Sequence, residues 1–288
     1  MKEQDGFSTQ HTMLQHEVEN MKKMALFTSF VLASFALAAC STSSSTSTSS
    51  DQTLYEQIQA EGVIQIGTEG AYAPYSYHDE SGKLVGYDVE VAEAVAAKLG
   101  LEVEFVETEW DGMIAGLDAA RFDTVANQVS ITDERKEKYD FSKPYTYIYG
   151  ALVTQSSNQD ITQFEDLSGK KSANSLTSNW ATVAESYGAE VVGVDGFQQA
   201  VELLTAGRVD ATINDNVVYL DYLKQHPDAA IQVVALTEDV QTTAFPVVKG
   251  NEELVAAIDQ ALADLAAEGK LTEIAEKYFG EDVSTAAE

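Results

Sequence analysis

The fold is decided by the stretch of sequence between residues 63 and 106. It begins with Val63-Ile64-Gln65-Ile66-Gly67 and passes through a turn-rich segment. It then continues as Gly86-Tyr-Asp-Val-Glu-Val-Ala-Glu-Ala-Val-Ala-Ala-Lys-Leu-Gly100, followed by Leu101-Glu-Val-Glu-Phe-Val106. The β-branched run that ends at a glycine predicts a buried strand, and the apolar positions of residues 86–100 recur at helical spacing before a glycine C-cap. A strand, a helix and a second strand in this order indicate a βαβ unit with parallel strands.

The same alternation continues along the rest of the chain. The pattern predicts further helices at 110–120, 178–187, 196–206, 216–226, 251–268 and 270–279, and further strands at 122–129, 150–154, 189–194, 209–213, 231–235 and 244–248. A break near residue 147 separates a first strand–helix set from a second, and the last strand and helices form a return. We therefore predict an α/β fold with largely parallel sheets in two lobes, joined by two crossings of the chain.

The N-terminal region has the pattern of a secretory signal. Lys22 and Lys23 precede an apolar stretch at residues 24–39, which is too short for a comfortable membrane span. The last four residues of this region, Leu37-Ala38-Ala39-Cys40, resemble the lipobox of bacterial lipoproteins, and this resemblance implies cleavage before Cys40 and acylation of its thiol. The alternative is a free thiol behind a signal peptide. Because Cys40 is the only cysteine, an intramolecular disulfide is excluded.

These features divide the chain into segments. We expect residues 1–20 to be an acidic leader outside the native protein, with translation starting at Met21, and residues 21–39 to be the signal peptide. Residues 40–51 are then the lipidated cysteine and a solvated Ser/Thr tether. Lobe 1 is predicted to comprise residues 52–147 plus 241–280, lobe 2 residues 148–240, and the tail residues 281–288.

Charge and histidine content exclude several function classes. The net charge of −30 repels phosphate backbones, so nucleic acid is a poor partner. Only two of the four histidines, His78 and His226, follow the signal region, and they are far apart in the sequence. The chain therefore offers no His-based catalytic triad, and we predict no metal site and no cofactor.

Several motifs in order resemble one protein family. They include Ile64-Gln-Ile-Gly-Thr-Glu-Gly-Ala-Tyr-Ala-Pro-Tyr75, Asn127-Gln-Val-Ser-Ile-Thr-Asp-Glu-Arg135 and Tyr139-Asp-Phe-Ser-Lys-Pro-Tyr145. From about Leu54 to Gly280 the chain resembles the polar amino-acid solute-binding proteins, family 3, of ABC importers. The resemblance implies a type II periplasmic-binding-protein-like flytrap, which closes over its ligand by hinge motion near residues 147–149 and 240–244. The segment Thr108-Glu-Trp-Asp-Gly-Met113 resembles the cystine-binding branch.

The resemblance also implies how the two charged ends of an amino acid are bound. Arg135 and the backbone at Ser130 would hold the ligand carboxylate, with Thr132 capping the helix that carries Arg135. The alternative makes Arg135 a surface residue paired with a neighbouring acidic side chain. Asp215 would meet the ligand ammonium; its alternative role is the N-cap of helix 216–226.

The remaining predicted ligand contacts are acidic, aromatic and amide groups. Glu69 is expected near the amino group, although it could be a solvated turn carboxylate. Tyr72 and Trp110 are expected to form aromatic walls, although Trp110 could belong to the core. We also predict ligand contacts from Gln128, Ser178 and Asn179, with Trp180 facing the ligand side chain. The chain departs from the family at Ser172-Ala-Asn-Ser-Leu176, where a small Val/Gly-rich strand is usual.

These expectations together favour a surface lipoprotein that is a monomer, is not an enzyme, and hands a polar amino acid, with cystine favoured, to ABC permease subunits. It would sit on the extracellular face of the cytoplasmic membrane in a Gram-positive-type cell, held only by its lipid. One alternative is a dehydratase on the same fold, with Glu69 as a general acid. Another is a sensor or adhesin lobe that uses the fold without an importer.

The anchoring hypothesis predicts the behaviour of Cys40→Ser. We expect this variant to be released into the medium or to persist as an uncleaved precursor, because the lipobox is the one attachment signal in the sequence. Metabolic labelling with a radioactive fatty acid measures the modification directly. Label that is equally strong in the variant would contradict lipidation at Cys40.

Overall fold

Strands and helices alternate through residues 52–286, the part of the chain that the computed structural model describes. The strands are β1 (Val63–Thr68), β2 (Ala71–Tyr72), β3 (Ser76–His78), β4 (Leu84–Val85), β5 (Glu102–Glu107), β6 (Thr124–Val125), β7 (Tyr139–Phe141), β8 (Thr146–Ile148), β9 (Gly150–Gln155), β10 (Lys171–Asn174), β11 (Glu190–Gly193), β12 (Ala211–Asp215), β13 (Ile231–Leu236), β14 (Gln241–Thr243) and β15 (Pro246–Val248). The helices are α1 (Leu54–Glu61), α2 (Tyr87–Leu99), α3 (Trp110–Asp118), α4 (Asp133–Lys138), α5 (Asn179–Ser186), α6 (Phe197–Thr205), α7 (Asn216–Gln225), α8 (Glu252–Ala267) and α9 (Lys270–Phe279), with a 3₁₀ helix at Phe164–Leu167.

The predicted signal peptide, Cys40 and the tether lie outside these residues. Within residues 52–286, no helix combines the length and the apolar character that crossing a membrane requires.

The first lobe is built around a parallel sheet with strand order β5–β1–β6. Ile64 and Ile66 on the central strand are buried beneath α2, which buries Val91 and Val95. Burying side chains of this size stabilises the fold by roughly 1.5–3 kcal/mol each. The βαβ unit predicted from residues 63–106 is therefore confirmed.

The second lobe contains a mixed sheet rather than a parallel one. Its strand order is β11–β10–β12–β9–β13, in which β10 runs parallel to β11 and β12 while β9 runs antiparallel to β12 and β13. Four of the five strands run in the same direction, as expected for a largely parallel sheet, and β9 is the exception. Strand β9 follows the crossing strand β8 directly, with no helical crossover to set a parallel direction.

Two crossing strands join the lobes. The chain enters the second lobe after β8 and returns through β14, and these strands pair antiparallel with Thr146 opposite Thr243. They overlap the ranges predicted as hinges. The segment predicted as a tail also packs here, because Val283 is buried and its carbonyl accepts a hydrogen bond of 2.8 Å from the Tyr147 amide.

Three local differences from the sequence prediction concern short strands. The strand expected at 122–129 is limited to Thr124–Val125, because Gln128 adopts a left-handed backbone conformation with φ of 52° that cannot continue a strand. The turn-rich segment contains the small antiparallel sheet β2–β3–β4, which was not predicted. Strand β10 forms at Lys171–Asn174 although that segment departs from the family pattern.

The backbone at Gly86 lies so close to the backbone at Tyr75 that a side chain does not fit between them. Gly86 has φ of 138°, and a Cβ at this position would overlap the Tyr75 carbonyl. We expect Gly86→Ala to lower the free energy of unfolding by more than the ~1–3 kcal/mol that an unfavourable φ alone costs. The control is Gly82→Ala, where φ is 80° but no atom lies within 4 Å of the added Cβ. Urea unfolding that gives equal losses for both variants would contradict this account.

Candidate functional site

A cavity between the two lobes contains most of the predicted site residues. It has about 530 Å³ of atom-free space, part of which is open to solvent. Its wall in the first lobe comprises Glu69, Tyr72, Trp110, Asn127 and Gln128. Its wall in the second lobe comprises Ala173, Asn174, Ser175, Ser178, Asn179, Trp180, Val194, Gly196, Phe197, Ala200, Thr212, Ile213, Asn214 and Asp215.

Strand ends explain why these residues meet. Glu69 directly follows β1, and Asn127 and Gln128 come shortly after β6. In the second lobe, Asn174 ends β10 and Asp215 ends β12. The carboxyl ends of neighbouring parallel strands lie at the same edge of a sheet, and in open α/β sheets ligands bind outside that edge. In this protein the carboxyl edge of the first-lobe sheet and the carboxyl edge of the second-lobe sheet face the same cavity.

Asp215 is a buried carboxylate, and among residues 52–286 it has no cationic partner. Its Oδ1 accepts a hydrogen bond of 2.8 Å from Trp180 Nε1, and its Oδ2 lies 3.4 Å from the Tyr72 hydroxyl. It occupies the N-cap position of α7, but its side chain makes no capping hydrogen bond. Burial raises the pKa of Asp215 to about 6, although these hydrogen bonds oppose the shift.

A glycine sets the position of Trp180. A Cβ at Gly150 would overlap the Trp180 ring, so the absence of a side chain there lets the indole lie against the start of β9. The indole is nearly fully buried and its Nε1 points at Asp215. The sequence pattern Gly150 followed by a buried strand therefore has a direct consequence for the site.

Glu69 is the second carboxylate of the cavity. Its Oε2 accepts a hydrogen bond of 2.6 Å from Asn127 Nδ2, and Asn127 Oδ1 accepts one of 2.9 Å from the Glu69 amide. Burial, together with the nearby negative charges of Asp111 and Glu109, raises the pKa of Glu69 to about 7. Among residues 52–286, no Lys, Arg or His nitrogen lies within 4 Å of either Glu69 or Asp215.

Arg135 lies at the mouth of the cleft, outside the wall of the cavity. Its two terminal nitrogens donate to the carbonyl oxygens of Ser130 at 2.9 Å and Thr177 at 3.2 Å. The guanidinium carbon is 5.4 Å from the ring centroid of Trp110, within cation–π range. Burial lowers the pKa of Arg135 to about 10, and within the described residues no carboxylate lies within 4 Å of it. The sequence alternative of a surface ion pair is therefore not what the structure contains.

Two donors in the cavity wall have no hydrogen-bond partner in the described protein. They are Trp110 Nε1 and Asn179 Nδ2. A buried donor without an acceptor costs about 1–3 kcal/mol, so such groups normally meet a partner. Both residues line the cavity.

Of the remaining predicted residues, Ser178 lines the cavity, whereas Ser130 does not. The Ser178 hydroxyl caps α5 by accepting from the Ala181 amide at 3.1 Å, and the Thr132 hydroxyl caps α4 as expected. Gln128 lines the cavity, but its side-chain amide is hydrogen-bonded to other residues of the protein.

Sequence reasoning missed three asparagines of the wall. Asn127 holds Glu69, Asn174 donates to the Ile213 carbonyl at 2.8 Å, and Asn214 accepts 2.7 Å from the Tyr72 hydroxyl. Each lies at or just after the carboxyl end of a strand. Searching strand ends for polar side chains would have found them.

Direct contacts between the lobes close the cleft. Asp111 Oδ1 accepts hydrogen bonds from the Thr177 hydroxyl at 2.8 Å and from the Thr177 amide at 3.1 Å. The Tyr72–Asn214 and Arg135–Thr177 hydrogen bonds also join the two lobes. The second-lobe residue Thr177 is thus held by first-lobe side chains at both its amide and its carbonyl.

Comparison with known proteins gives matches over most of the chain. The protein family described as bacterial extracellular solute-binding proteins, family 3, matches residues 64–281. The L-cystine-binding protein TcyA of Bacillus subtilis (strain 168) is 47% identical over 232 residues, covering 80% of this chain and 86% of that protein.

Two solved structures, one with a bound ligand and one without, superpose on the chain to different degrees. An ancestral arginine-binding protein bound to arginine is 40% identical, covers 76% of this chain and 99% of its own, and superposes with a TM-score of 0.72. The L-cystine solute receptor of Neisseria gonorrhoeae in its unliganded open conformation is 45% identical and covers 82% of this chain and 100% of its own, yet its TM-score is 0.56. The chain therefore superposes better on the ligand-bound relative than on the unliganded open one.

The raised pKa of Asp215 predicts a pH-dependent stability for the ligand-free protein. The folded state holds the proton more tightly than an unfolded chain with an ordinary pKa of 3.8. This stabilising contribution is complete below that value and is lost as the pH rises through about 6, which for this group amounts to roughly 3 kcal/mol. We expect Asp215→Asn to abolish this part of the decrease in stability between pH 4 and pH 8.

Urea unfolding at several pH values measures the effect. Asp133→Asn, which removes an exposed carboxylate of α4, is the control and should retain the wild-type profile. Identical profiles for Asp215→Asn and the wild type would show that burial does not shift the pKa of Asp215.

Proposed function

Because the chain belongs to the bacterial extracellular solute-binding proteins of family 3, we propose that it captures a polar amino acid and delivers it to the permease of an ABC importer. The observation that carries this proposal is the charge distribution of the closed cleft. Glu69 and Asp215 line the cavity and Arg135 lies at its mouth, and none of the three has a counter-ion among the described residues. A buried charge without a partner is strongly destabilising, and a zwitterion supplies both missing signs.

The ligand carboxylate is assigned to the Arg135 side of the cleft. A guanidinium has five N–H donors, and the carbonyls of Ser130 and Thr177 take one each. Trp110 Nε1 and Asn179 Nδ2 add unpartnered donors in the adjoining wall. Charge-assisted hydrogen bonds of this kind are the stronger ones in proteins.

The ligand amino group is assigned to the acidic side, and two carboxylates there favour a ligand with two amino groups. Asp215 and Glu69 come from different lobes, so each can receive an ammonium as the cleft closes. L-cystine has two ammonium groups and two carboxylates. The relative TcyA is an L-cystine-binding protein, which supports the same ligand. We therefore propose L-cystine.

We further propose that the protein is a monomeric lipoprotein rather than an enzyme. Acylation of Cys40 would hold it on the extracellular face of the cytoplasmic membrane in a Gram-positive-type cell, and the Ser/Thr tether would give it reach. A dehydratase on this fold would need a general acid in the cleft, and the turnover assay described below tests Glu69 for that role. A sensor or adhesin role without an importer would leave amino-acid uptake unchanged in a deletion strain.

Calorimetric titration with L-cystine tests the proposal, and Arg135→Ala tests the assignment of the carboxylate. Truncating one partner of a buried, hydrogen-bonded charge pair costs about 2–5 kcal/mol, so we expect affinity to fall by about thirtyfold or more. Arg121→Ala, which removes an exposed arginine outside the cleft, is the matched control and should bind normally.

The ligand panel should also contain cysteine, arginine and glutathione, and a turnover assay should use a cyclohexadienyl acid. Tighter binding of one of the other ligands would replace cystine as the substrate. Near-normal affinity of Arg135→Ala would move the carboxylate elsewhere. Failure to bind any amino acid, or turnover of the cyclohexadienyl acid, would overturn the proposed function.

A further inference from the structure

A second buried carboxylate, outside the cavity wall, lies beside the crossing strands. Asp88 is in the first turn of α2 and is completely buried. Its Oδ2 accepts from the Gln128 amide at 2.9 Å, and its Oδ1 accepts from Gln128 Nε2 at 2.6 Å and from the Tyr145 hydroxyl at 3.1 Å. Within residues 52–286 it has no cationic partner. Asp88 thus fixes both the backbone and the side chain of Gln128.

The side-chain amide of Gln128 joins Asp88 to both crossing strands. Its Nε2 also lies within hydrogen-bond distance, 3.2 Å, of the Thr146 hydroxyl on β8, and its Oε1 accepts 2.9 Å from the Thr243 hydroxyl on β14. Thr146 and Thr243 are opposite each other in the ladder of the two strands and both are completely buried. With both N–H groups used within the protein, the Gln128 amide has no donor left for a ligand.

Gln128 is also part of the cavity wall. Asn127, the residue before it, holds Glu69, and Ser130, two residues after it, accepts from Arg135. The segment 127–130 therefore connects the acidic side and the basic side of the cleft, with Gln128 between them. The left-handed backbone of Gln128 is unfavourable for a residue other than glycine, and Asp88 stabilises it through the amide.

We propose that Gln128, held by Asp88, is a positioning residue that couples occupancy of the cavity to the two crossing strands and so sets the equilibrium between the open and closed forms. Thr146 and Thr243 lie at the first-lobe ends of the crossing strands, so the hydrogen bonds of Gln128 to them anchor those ends against the wall of the cavity. Only the second of the two measurements below, which uses a bound ligand, rests on the proposed function. It assigns Gln128 to the hinge instead of to ligand contact.

The test uses the full chain and Thr243→Val, which removes one hydroxyl at almost constant volume. The control is Thr124→Val, because the Thr124 hydroxyl is equally buried and donates 2.8 Å to the Pro246 carbonyl, with no bond to Gln128. A hydrogen bond of this kind changes a rate or an equilibrium about three- to tenfold. Thr146→Val is a second hinge variant in case Thr243→Val does not fold.

The first measurement needs no ligand. Hydrogen exchange of the β8 and β14 amides should be about three- to tenfold faster in Thr243→Val than in Thr124→Val at matched stability. Equal exchange in the two variants would overturn the inference.

The second measurement is dissociation of L-cystine, followed by intrinsic fluorescence. Trp110 and Trp180 are the two tryptophans of the chain and both line the cavity, so no label is required. We expect dissociation to be about three- to tenfold faster in Thr243→Val and unchanged in Thr124→Val. Faster exchange with unchanged dissociation would overturn the coupling to the cavity. If the wild type does not bind L-cystine, the proposed ligand fails, while the exchange result still decides the role of Gln128.

Discussion

The cleft contains charges of both signs that residues 52–286 do not neutralise, and the rest of the structure depends on this constraint. Asp215 is almost completely buried beside an indole N–H and tyrosine hydroxyls, and among residues 52–286 the hydrogen bonds of the Arg135 guanidinium go to neutral carbonyl oxygens. Desolvation raises the pKa of Asp215 and lowers the pKa of Arg135, and each shift favours the neutral form of the group. The shifts reflect how unfavourable the two isolated charges are. A ligand with complementary charges removes this cost. The absence of counter-ions for Asp215 and Arg135 among the described residues therefore defines the charges that a ligand must supply.

The two lobes bring these charges together by the same local rule. In each lobe, polar side chains follow buried parallel strands at their carboxyl ends, as Glu69 follows β1 and Asp215 ends β12. Small residues then admit the large side chains that shape the wall, as Gly150 does for Trp180. The strands hold the polar side chains rigidly within each lobe. The crossing strands allow the orientation of one lobe relative to the other to vary. Recognition and motion are thereby assigned to different parts of the fold.

The family and the two-lobed fold predicted from the sequence are confirmed, and the local failures have physical causes. Long periodic segments such as residues 86–100 were predicted well because one helix face is buried along its whole length. Strands of two or three residues, such as β8 and β14, were not predicted, because their pairing depends on contacts between residues that are distant in the sequence. The strand expected at 122–129 failed at Gln128, whose left-handed backbone is stabilised by Asp88 from forty residues away. Motifs identified the groups facing the cavity, but not which of them were already engaged within the protein.

In the proposed binding mode, closure of the cleft and compensation of its charges are one event. The bonds that the lobes make without a ligand are few, and those to Thr177 are at the exposed mouth of the cleft. A hydrogen bond contributes about 0.5–1.5 kcal/mol net, so these contacts only modestly oppose the cost of enclosing unpaired charges. A ligand shifts a conformational equilibrium only by its differential affinity for the two forms. Since Asp215 and Arg135 lie in different lobes, a zwitterion that spans them gains both contacts only in the closed form. The same unpaired charges that weaken the empty closed state thus make it the state that the ligand selects.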